Sequence, residues 1–587
     1  MFDYMLLVDY NKTGGTMTRM LILLFSFLFT VNTFAVPMAK DNQDPWEGVN
    51  FDAREMKVVM GYVKNFYINT KYNSRVCWVW AANAGLHVLK PKMELLPVKF
   101  LRKIRHSKKW HKYMKGKIFT LKKGDPFVIH RFPASKQASL TFKEQMKIRR
   151  KIEKAWDKLK FSKKDFDRVM AFVMKVGKKD PVFSPAKAYI EATNGYLAAL
   201  DPHSAIVSVK AWDKDTKERE DSSFEGIGAV LTKRGHDTIV ENPIDGQPAV
   251  KAGLKAGDII VAVDSMDIRG MSLQKVVNRI RGPKGTTVAL TIHRRDADGP
   301  LKIRIVRARI HITNIESRMV KHHPAMGYMK VRSFVPGTAK GVATAIRNLR
   351  KKAPGGVLRG LILDLRGNPG GLLVESVKMA DEFLDKGVIV TVRGRAEGSS
   401  VYKAKKGGYK MPLVVLVNSD SASASEIFSG AIQDNGRGLI LGDRTFGKAS
   451  VQSLMRPFTS DAYYIKLTIA RYYAPSGRTI QVTAIHPDIE IPPEPGKPVK
   501  DAFREQDLFH HLLKIPSKYK SVNNLLTKDV MVCEKPLSVA DKMSKSDPDR
   551  AIKFDYQLYK AADVLEGMLL LKNAGLKYCR SLQKTDK

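Results

Sequence analysis

Residues 414–452 read VVLVNSDSASASEIFSGAIQDNGRGLILGDRTFGKASVQ. An apolar, β-branched run ends at Asn418-Ser419-Asp420, residues that favour turns, and alternating Ser and Ala then open a helical stretch from Ala424 to Asp434. A strand handing over to a helix across small residues is the unit of an α/β core. Such a junction also projects a hydroxyl and points the unpaired N–H groups of the first helical turn outward. That is the setting a nucleophile and a developing oxyanion need. A serine of this run is therefore a candidate nucleophile.

A nucleophilic serine requires a base. No histidine lies between Val414 and Gln452, so a Ser-His pair finds no support there. Lys448, in Phe446-Gly447-Lys448, is the alternative. An amine acts as a base only when neutral, so its pKa must fall from about 10.4, and burial in an apolar, glycine-lined setting lowers it. Taken alone, one lysine in a chain with 101 Lys and Arg is ordinarily a surface charge; the serine run makes it a candidate. Upstream, Asp364-Leu365-Arg366-Gly367-Asn368-Pro369-Gly370-Gly371 follows the apolar run Leu361 to Leu363. Glycines at a strand's end offer backbone N–H groups either as an oxyanion hole or as a phosphate cradle, and Pro-Gly-Gly by itself is also a plain turn.

Together these blocks resemble the carboxyl-terminal processing (tail-specific) proteases, whose members combine SASASE, FGK-x-(S/T)-VQ and a preceding DLR-x-NPGG with an embedded PDZ domain. The resemblance implies a serine endopeptidase with Ser423 as nucleophile and Lys448, 25 positions on, as base. It also implies Gln452 and Asp434 as supporting polar residues, and the N–H groups of Gly370 or Gly371 and of Ala424 as oxyanion donors. It extends from Leu200 to Pro492 through Leu200-Asp201-Pro202-His203-Ser204, Gly327-Tyr328, Ser333-Phe334, Tyr473 to Gln481 and Pro487-Asp488-Ile489. Ala449 and Ala484 stand where the family pattern has glycine. The implied core is an α/β superhelical arrangement like that of Clp protease and the crotonases, working without metal, nucleotide or other cofactor.

Outward from the core the texture changes twice. From about Asp52 to Asn194 the pattern is mostly helical: Ser162 with Asp165 resembles a capping box, and Phe166, Val169, Met170, Val173 and Met174 follow at three- and four-residue spacing. From Phe224 short β-like runs (Ile227 to Thr232, Thr238 to Glu241, Ile259 to Val263, Val288 to His293, Lys302 to Val306) enclose helical stretches at Ala249 to Ala252 and Ser272 to Arg281. This is a compact α+β module. Its Phe224-Glu225-Gly226-Ile227-Gly228 resembles the PDZ carboxylate-binding loop, and Pro248 to Ile260 resembles bacterial PDZ domains. The resemblance implies that Gly226, Ile227 and Gly228 receive polypeptide substrates with exposed, apolar C-termini. Arg281 is read either as a link from the module to the active site or, preferably, as a surface charge. The expected organisation is multidomain, α/β and α+β: a signal segment at 1–35, a helical N-terminal region at 36–205, the PDZ domain at 224–308, a catalytic core at 309–495 with a contribution from about 195–223, and a basic, helical C-terminal extension at 496–587.

The 44% hydrophobic and 27% charged content excludes a disordered or many-spanning membrane chain. The 101 basic against 58 acidic residues give a formal +43, which favours anionic partners. Lys99 to Lys117 concentrates basic residues around Trp110 and Tyr113. Without a nucleic-acid-binding motif it is read as a solvated helix face, leaving an anionic envelope surface as a partner and no nucleic acid. Met20 to Val31 after Arg19, with Thr33-Phe34-Ala35 beyond, reads as an export signal whose translated start is Met17 or Met20, and it places the protein in the periplasm or cell envelope, cleaved free or held by an uncleaved signal. Cys533 and Cys579 form a candidate disulfide after export; no cysteine has metal-ligand spacing. Two other classes stay open from sequence: a catalytically silent PDZ adaptor and an anion-surface-binding envelope protein.

Overall fold

The structure, a computed structural model, describes residues 44–90, 93–105, 116–131, 151–495, 502–513 and 555–573, with short breaks between 221 and 313 and at 397 and 509. The export signal, most of the Lys99 to Lys117 stretch, Cys533 and Cys579 lie outside the described residues. The described residues divide into two compact units, one holding those of 44–47 and 210–314 and the other holding those of 48–209, 315–513 and 555–573.

The larger unit is built on a sheet in the order 315–320, 323–331, 360–364, 413–417, 439–442, 489–490. From 323–331 onward every neighbouring pair is parallel. Gly360–Asp364, Leu413–Val417 and Leu439–Gly442 are buried at every position, as strands covered on both faces must be, and this is why they read as unbroken apolar runs. On one face Ile362, Val414, Leu416 and Leu441 meet Ala561, Ala562 and Leu565 of the helix Tyr556–Asn573. Gly360 admits that helix, because a Cβ there would meet Leu565 at 2.9 Å. The helices Thr338–Lys352, Leu373–Asp381 and Ala424–Asp434 connect the strands.

A second sheet, antiparallel, runs 399–403, 388–394, 463–473, 450–455, and Ala205–Ser208 adds a strand to Tyr463–Tyr473. The long strand Tyr463–Tyr473 is buried throughout. Towards the N-terminus the helices Ser74–Leu86, Lys163–Gly177 and Pro185–Ala198 pack together, the second of them opened by the Ser162–Asp165 capping box. Among them sits a three-stranded sheet, Met93–Pro97, Phe127–Arg131 and Lys117–Phe119, beyond the helices read from sequence. Its strands are three to five residues long and flanked by lysines, too short for a period-2 pattern to stand out.

The smaller unit carries a sheet in the order 301–306, 287–293, 259–263, 237–243, 229–234, with Met266–Asp267 on the side of 259–263. Val240, Ile260, Val263, Val288, Leu290 and Ile292 form its core with Val276 and Ile280 of the helix Leu273–Ile280. Ser223–Gly226 pairs with Ala308–His311.

Candidate active site

The site is assembled where parallel strands end and helices begin. Strand Gly360–Asp364 runs into the Asn368-Pro369-Gly370-Gly371 loop, and strand Leu413–Val417 into the serine run. Asn368, fully buried, ties these ends together. Its Nδ2 donates to Val331 O at 2.9 Å, and its carbonyl accepts from Ala422 N at 3.1 Å and from Ser425 Oγ at 2.9 Å. Gly370 and Gly371 have φ +100 and +142, and a Cβ on Gly370 would meet Ala422 O at 2.7 Å and Ala424 N at 2.9 Å. The two loops therefore touch along their backbones, and glycine is required for them to do so.

The three serines of the run are used differently. Ser421 Oγ donates to Leu365 O at 2.8 Å and Ser425 Oγ to Asn368 O at 2.9 Å, so both are structural ties. Ser423 Oγ is buried and has no hydrogen-bond partner among the described residues. Ser423 also sits at φ 55, ψ −112, outside the regions a non-glycine residue adopts freely, at a cost of about 1–3 kcal/mol. A strained backbone carrying an unsatisfied hydroxyl immediately before a helix N-terminus is poor packing but apt placement for a reacting atom. The following residue, Ala424, is the first of the helix, where an N–H has no intrahelical acceptor.

Lys448 is fully buried. Desolvation lowers its pKa to about 8, against the carboxylates of Glu505, Asp201 and Glu426, which favour the charged amine. Its Nζ donates to Gln452 Oε1 at 2.9 Å, and Gln452 Nε2 donates to Ser450 Oγ and Thr468 Oγ1, both at 3.0 Å. Gln452 thus presents its carbonyl oxygen, not its amide nitrogen, to the lysine. The Tyr472 hydroxyl donates to the Lys448 carbonyl.

Glu426 joins the loop of Ser423 to the loop of Lys448. It is fully buried; its Oε2 accepts from Ser423 N and Lys448 N, both at 2.9 Å, and its Oε1 from Thr445 Oγ1 at 2.6 Å and Gly447 N at 2.7 Å. The backbone nitrogens of Ser423 and Lys448 therefore cannot be farther apart than the sum of two hydrogen bonds to one oxygen. Burial pushes the Glu426 carboxyl up to about 7, opposed by these four donors.

The structure brings together Ser423, Ala424, Lys448, Gln452, Gly370 and Gly371. Gly370 N–H donates to Asn368 Oδ1 at 2.9 Å within the chain. Asp434 is placed apart, at the last position of the helix Ala424–Asp434. Its oxygens take Arg478 Nη2 and Ser476 N, both at 3.0 Å, so it braces the 474–481 loop. Ala449 N–H is held by Gln481 Oε1 at 2.9 Å, and Ala484 has φ 62, the left-handed backbone that explains a glycine preference there. Sequence reasoning gave no role to Glu426, Thr445, His203 or Glu505. The Ser423-x-x-Glu426 spacing is that of a capping box, a local signal for the first of these.

In the smaller unit Gly226 ends a strand, and Gly228 has φ +74, where a Cβ would meet Gln247 Cβ at 2.4 Å. The Ile227 side chain belongs to the core, and its carbonyl accepts from Ala249 N at 2.8 Å. Any part Ile227 takes in binding is thus by its backbone. Arg281 N–H donates to Val277 O, just past the helix Leu273–Ile280.

Comparison with known proteins agrees with this layout. Residues 325–491 match peptidase family S41, and residues 239–294 match a PDZ domain. The chain is 39% identical over 327 residues to the carboxy-terminal-processing protease of Bartonella bacilliformis, covering 55% of this chain and 74% of that one. It is 32% identical over 368 residues to a carboxy-terminal processing protease of Bacillus subtilis, covering 60% and 77%. Among solved structures it is similar to the photosystem II D1 C-terminal processing protease, at 31% identity, 55% and 86% coverage and a TM-score of 0.36. It is also similar to the PDZ domain of a carboxy-terminal protease from Vibrio cholerae in complex with peptide, at 37% identity, 15% and 99% coverage and a TM-score of 0.15. With the S41 match lying over the sheet and the junctions that hold the serine run, and the PDZ match over the smaller unit, the chain belongs to peptidase family S41, the carboxy-terminal processing serine proteases with a PDZ domain.

Proposed function

We propose that Ser423 is the nucleophile and Lys448 its general base in an endopeptidase that selects polypeptides by their C-terminal tails. The observation that carries this reading is the contrast among the serines: Ser421 and Ser425 are tied to carbonyls, while Ser423 Oγ is buried, strained and unpartnered, on a residue whose N–H shares Glu426 Oε2 with the N–H of the buried Lys448. In the reaction, Ser423 Oγ attacks the scissile carbonyl carbon as its proton passes to neutral Lys448 Nζ. The oxyanion is met by the N–H groups of Ala424 and Gly371, the Gly370 N–H being held by Asn368 Oδ1. The tetrahedral intermediate expels the amine, which takes the proton back from Lys448, and water, deprotonated by the same lysine, hydrolyses the acyl-enzyme. Gln452 Oε1 aims the amine, and Glu426 holds the two backbone segments in register.

The PDZ match and the left-handed Gly228 turn support capture of a terminal carboxylate by backbone N–H groups, with a strand edge pairing the peptide. The apolar run Met20 to Val31 supports export to the cell envelope, where an anionic surface would suit the net charge of +43. Hydrolysis of a quenched fluorescent peptide ending in apolar residues, compared among wild type, Ser423→Ala and Lys448→Ala, tests the mechanism. Both variants are expected to lose at least about a thousandfold in kcat/KM while still unfolding in one cooperative transition, with the lower Tm in Lys448→Ala, which empties a buried site. Retained hydrolysis in either would remove that residue from its role, and an inert wild type would favour a silent adaptor.

A further inference from the structure

Residues 502–513 lie beyond the S41 match, yet one of their side chains reaches the interior of the site. Glu505 is fully buried. Its N–H donates to Phe446 O at 3.2 Å, and its Oε1 accepts from Gln481 Nε2 at 2.9 Å. Gln481 Oε1 in turn receives the N–H of Ala449, the residue next to Lys448, at 2.9 Å. Both Glu505 oxygens lie against His203 Nε2, at 3.0 and 3.1 Å. From His203 the path returns to the lysine. His203 N donates to Asp201 Oδ1 at 2.9 Å, Thr468 Oγ1 donates to the same oxygen at 3.0 Å, Gln452 Nε2 donates to Thr468 Oγ1, and Lys448 Nζ donates to Gln452 Oε1. A circuit of hydrogen bonds thus leaves the lysine amine and comes back to the amide beside it, with the Glu505–His203 pair at its far side. Arg504 anchors the segment by donating to the carbonyls of Arg444 and Thr445 and pairing with Asp443 at 3.1 Å.

We propose that Glu505 and His203 are a positioning pair that sets the proton affinity of Lys448 from outside the S41-matched core. This rests on the reading of Lys448 as general base. Three carboxylates from three different elements act on the lysine through their charge: Glu505 of the 502–513 segment, Asp201 of the turn before Ala205–Ser208, and Glu426 of the helix Ala424–Asp434. Each favours the ammonium form, and in a buried setting such fields are weakly screened. Glu505 differs from Asp201 and Glu426 in having a basic partner on both of its oxygens. His203 Nε2 faces both oxygens and helps keep the Glu505 carboxyl below its usual range. Of the other charged groups around this segment, Arg504, Asp443 and Asp507 pair among themselves or with backbone, Arg444 Nη2 donates to Gln506 Oε1, and Arg471 Nη1 donates to Leu513 O.

The signs follow. Without the Glu505 charge the lysine loses its proton more easily, and the rising limb of activity moves to lower pH. Without the His203 ring Glu505 loses the group that keeps its carboxyl ionised, its field at the lysine weakens, and the limb moves the same way by less. Loss of packing alone would lower the rate at all pH values and leave the limb in place.

The experiment is the pH profile of kcat/KM on fluorescein-labelled casein for the full chain, with wild type, Glu505→Gln and His203→Gln, and with Ser423→Ala and Lys448→Ala as controls on the mechanism. The expected result is a shift of about half to one pH unit towards acid for Glu505→Gln and a smaller shift of the same sign for His203→Gln. A limb in the wild-type position in either folded variant overturns the proposal. If Glu505→Gln fails to fold, as judged by its melting transition, His203→Gln decides alone: a limb moved towards acid pH sustains the proposal, and an unmoved limb overturns it. Activity retained by Lys448→Ala is a different failure, since it refutes the general-base reading itself.

Discussion

Replacing Glu426 with glutamine changes one oxygen of a fully buried side chain into an NH2 group, and the structure tells which one. If the NH2 took the Oε2 position it would face two backbone donors, Ser423 N and Lys448 N, neither of which can turn away. At the Oε1 position it faces Gly447 N and the Thr445 hydroxyl, which can rotate to accept. Thr445 Oγ1 already accepts from Ile485 N and has one lone pair left. The amide therefore settles with its nitrogen towards Thr445 and Gly447. The Gly447 N–H and the Thr445 hydroxyl proton then lose their acceptor. An orphaned buried donor costs about 1–3 kcal/mol, so Glu426→Gln is expected to lose about 2–5 kcal/mol of stability. Ser423 and Lys448 remain tied to the surviving oxygen, but Gly447 is released beside them. A displacement of the order of 1 Å at a reacting group costs about a hundredfold. The assay is paired: urea denaturation, and kcat and KM on a quenched fluorescent peptide. The expected result is a lower midpoint and a kcat reduced by about tenfold to a hundredfold, with KM little changed, and a larger loss for Glu426→Ala, which orphans all four donors. A Glu426→Gln enzyme with wild-type midpoint and wild-type kcat would refute the reasoning, because four buried donors would then have lost nothing by facing an amide.

Further outcomes follow from the same geometry. On the proposed reading of Lys448 as base, which requires it neutral, and with its pKa lowered to about 8, kcat/KM in wild type should rise as pH increases through about 8 and be lost below it; a flat profile from pH 6 to 9 would contradict this. Gly371→Ala should abolish measurable hydrolysis, since its Cβ would meet Phe334 O at 2.2 Å at φ +142, and peptide turnover at the wild-type rate would show that the turn is not fixed as described. Asp555→Ala removes one of the carboxylates that hold Arg366 at the entrance to the Asn368-Pro369-Gly370-Gly371 loop. Asp364 and Gln557 remain and Asp555 is partly exposed, so the loss in a denaturation series should be only about 1 kcal/mol.

The sequence by itself determined the class of chemistry and the order of the parts. The strands Leu413–Val417 and Ile259–Val263 and the helix Ala424–Asp434 were legible to the residue, since unbroken apolar runs and small-residue junctions are local signals. The resemblance pointed to Ser423, Lys448 and the glycine turn because these residues sit in short contiguous blocks. Tertiary structure alone decided which of the alternating serines is left without a partner, because Ser421 and Ser425 are distinguished from Ser423 by carbonyls 56 and 57 positions away. It also decided that Asp434 braces a loop and that His203 meets Glu505 across 302 residues. A charge that the fold buries looks, in one dimension, like any of the many it leaves in water. Burial and long-range pairing have no period along the chain, so only packing can turn a common Glu, His or Lys into a group whose proton affinity matters.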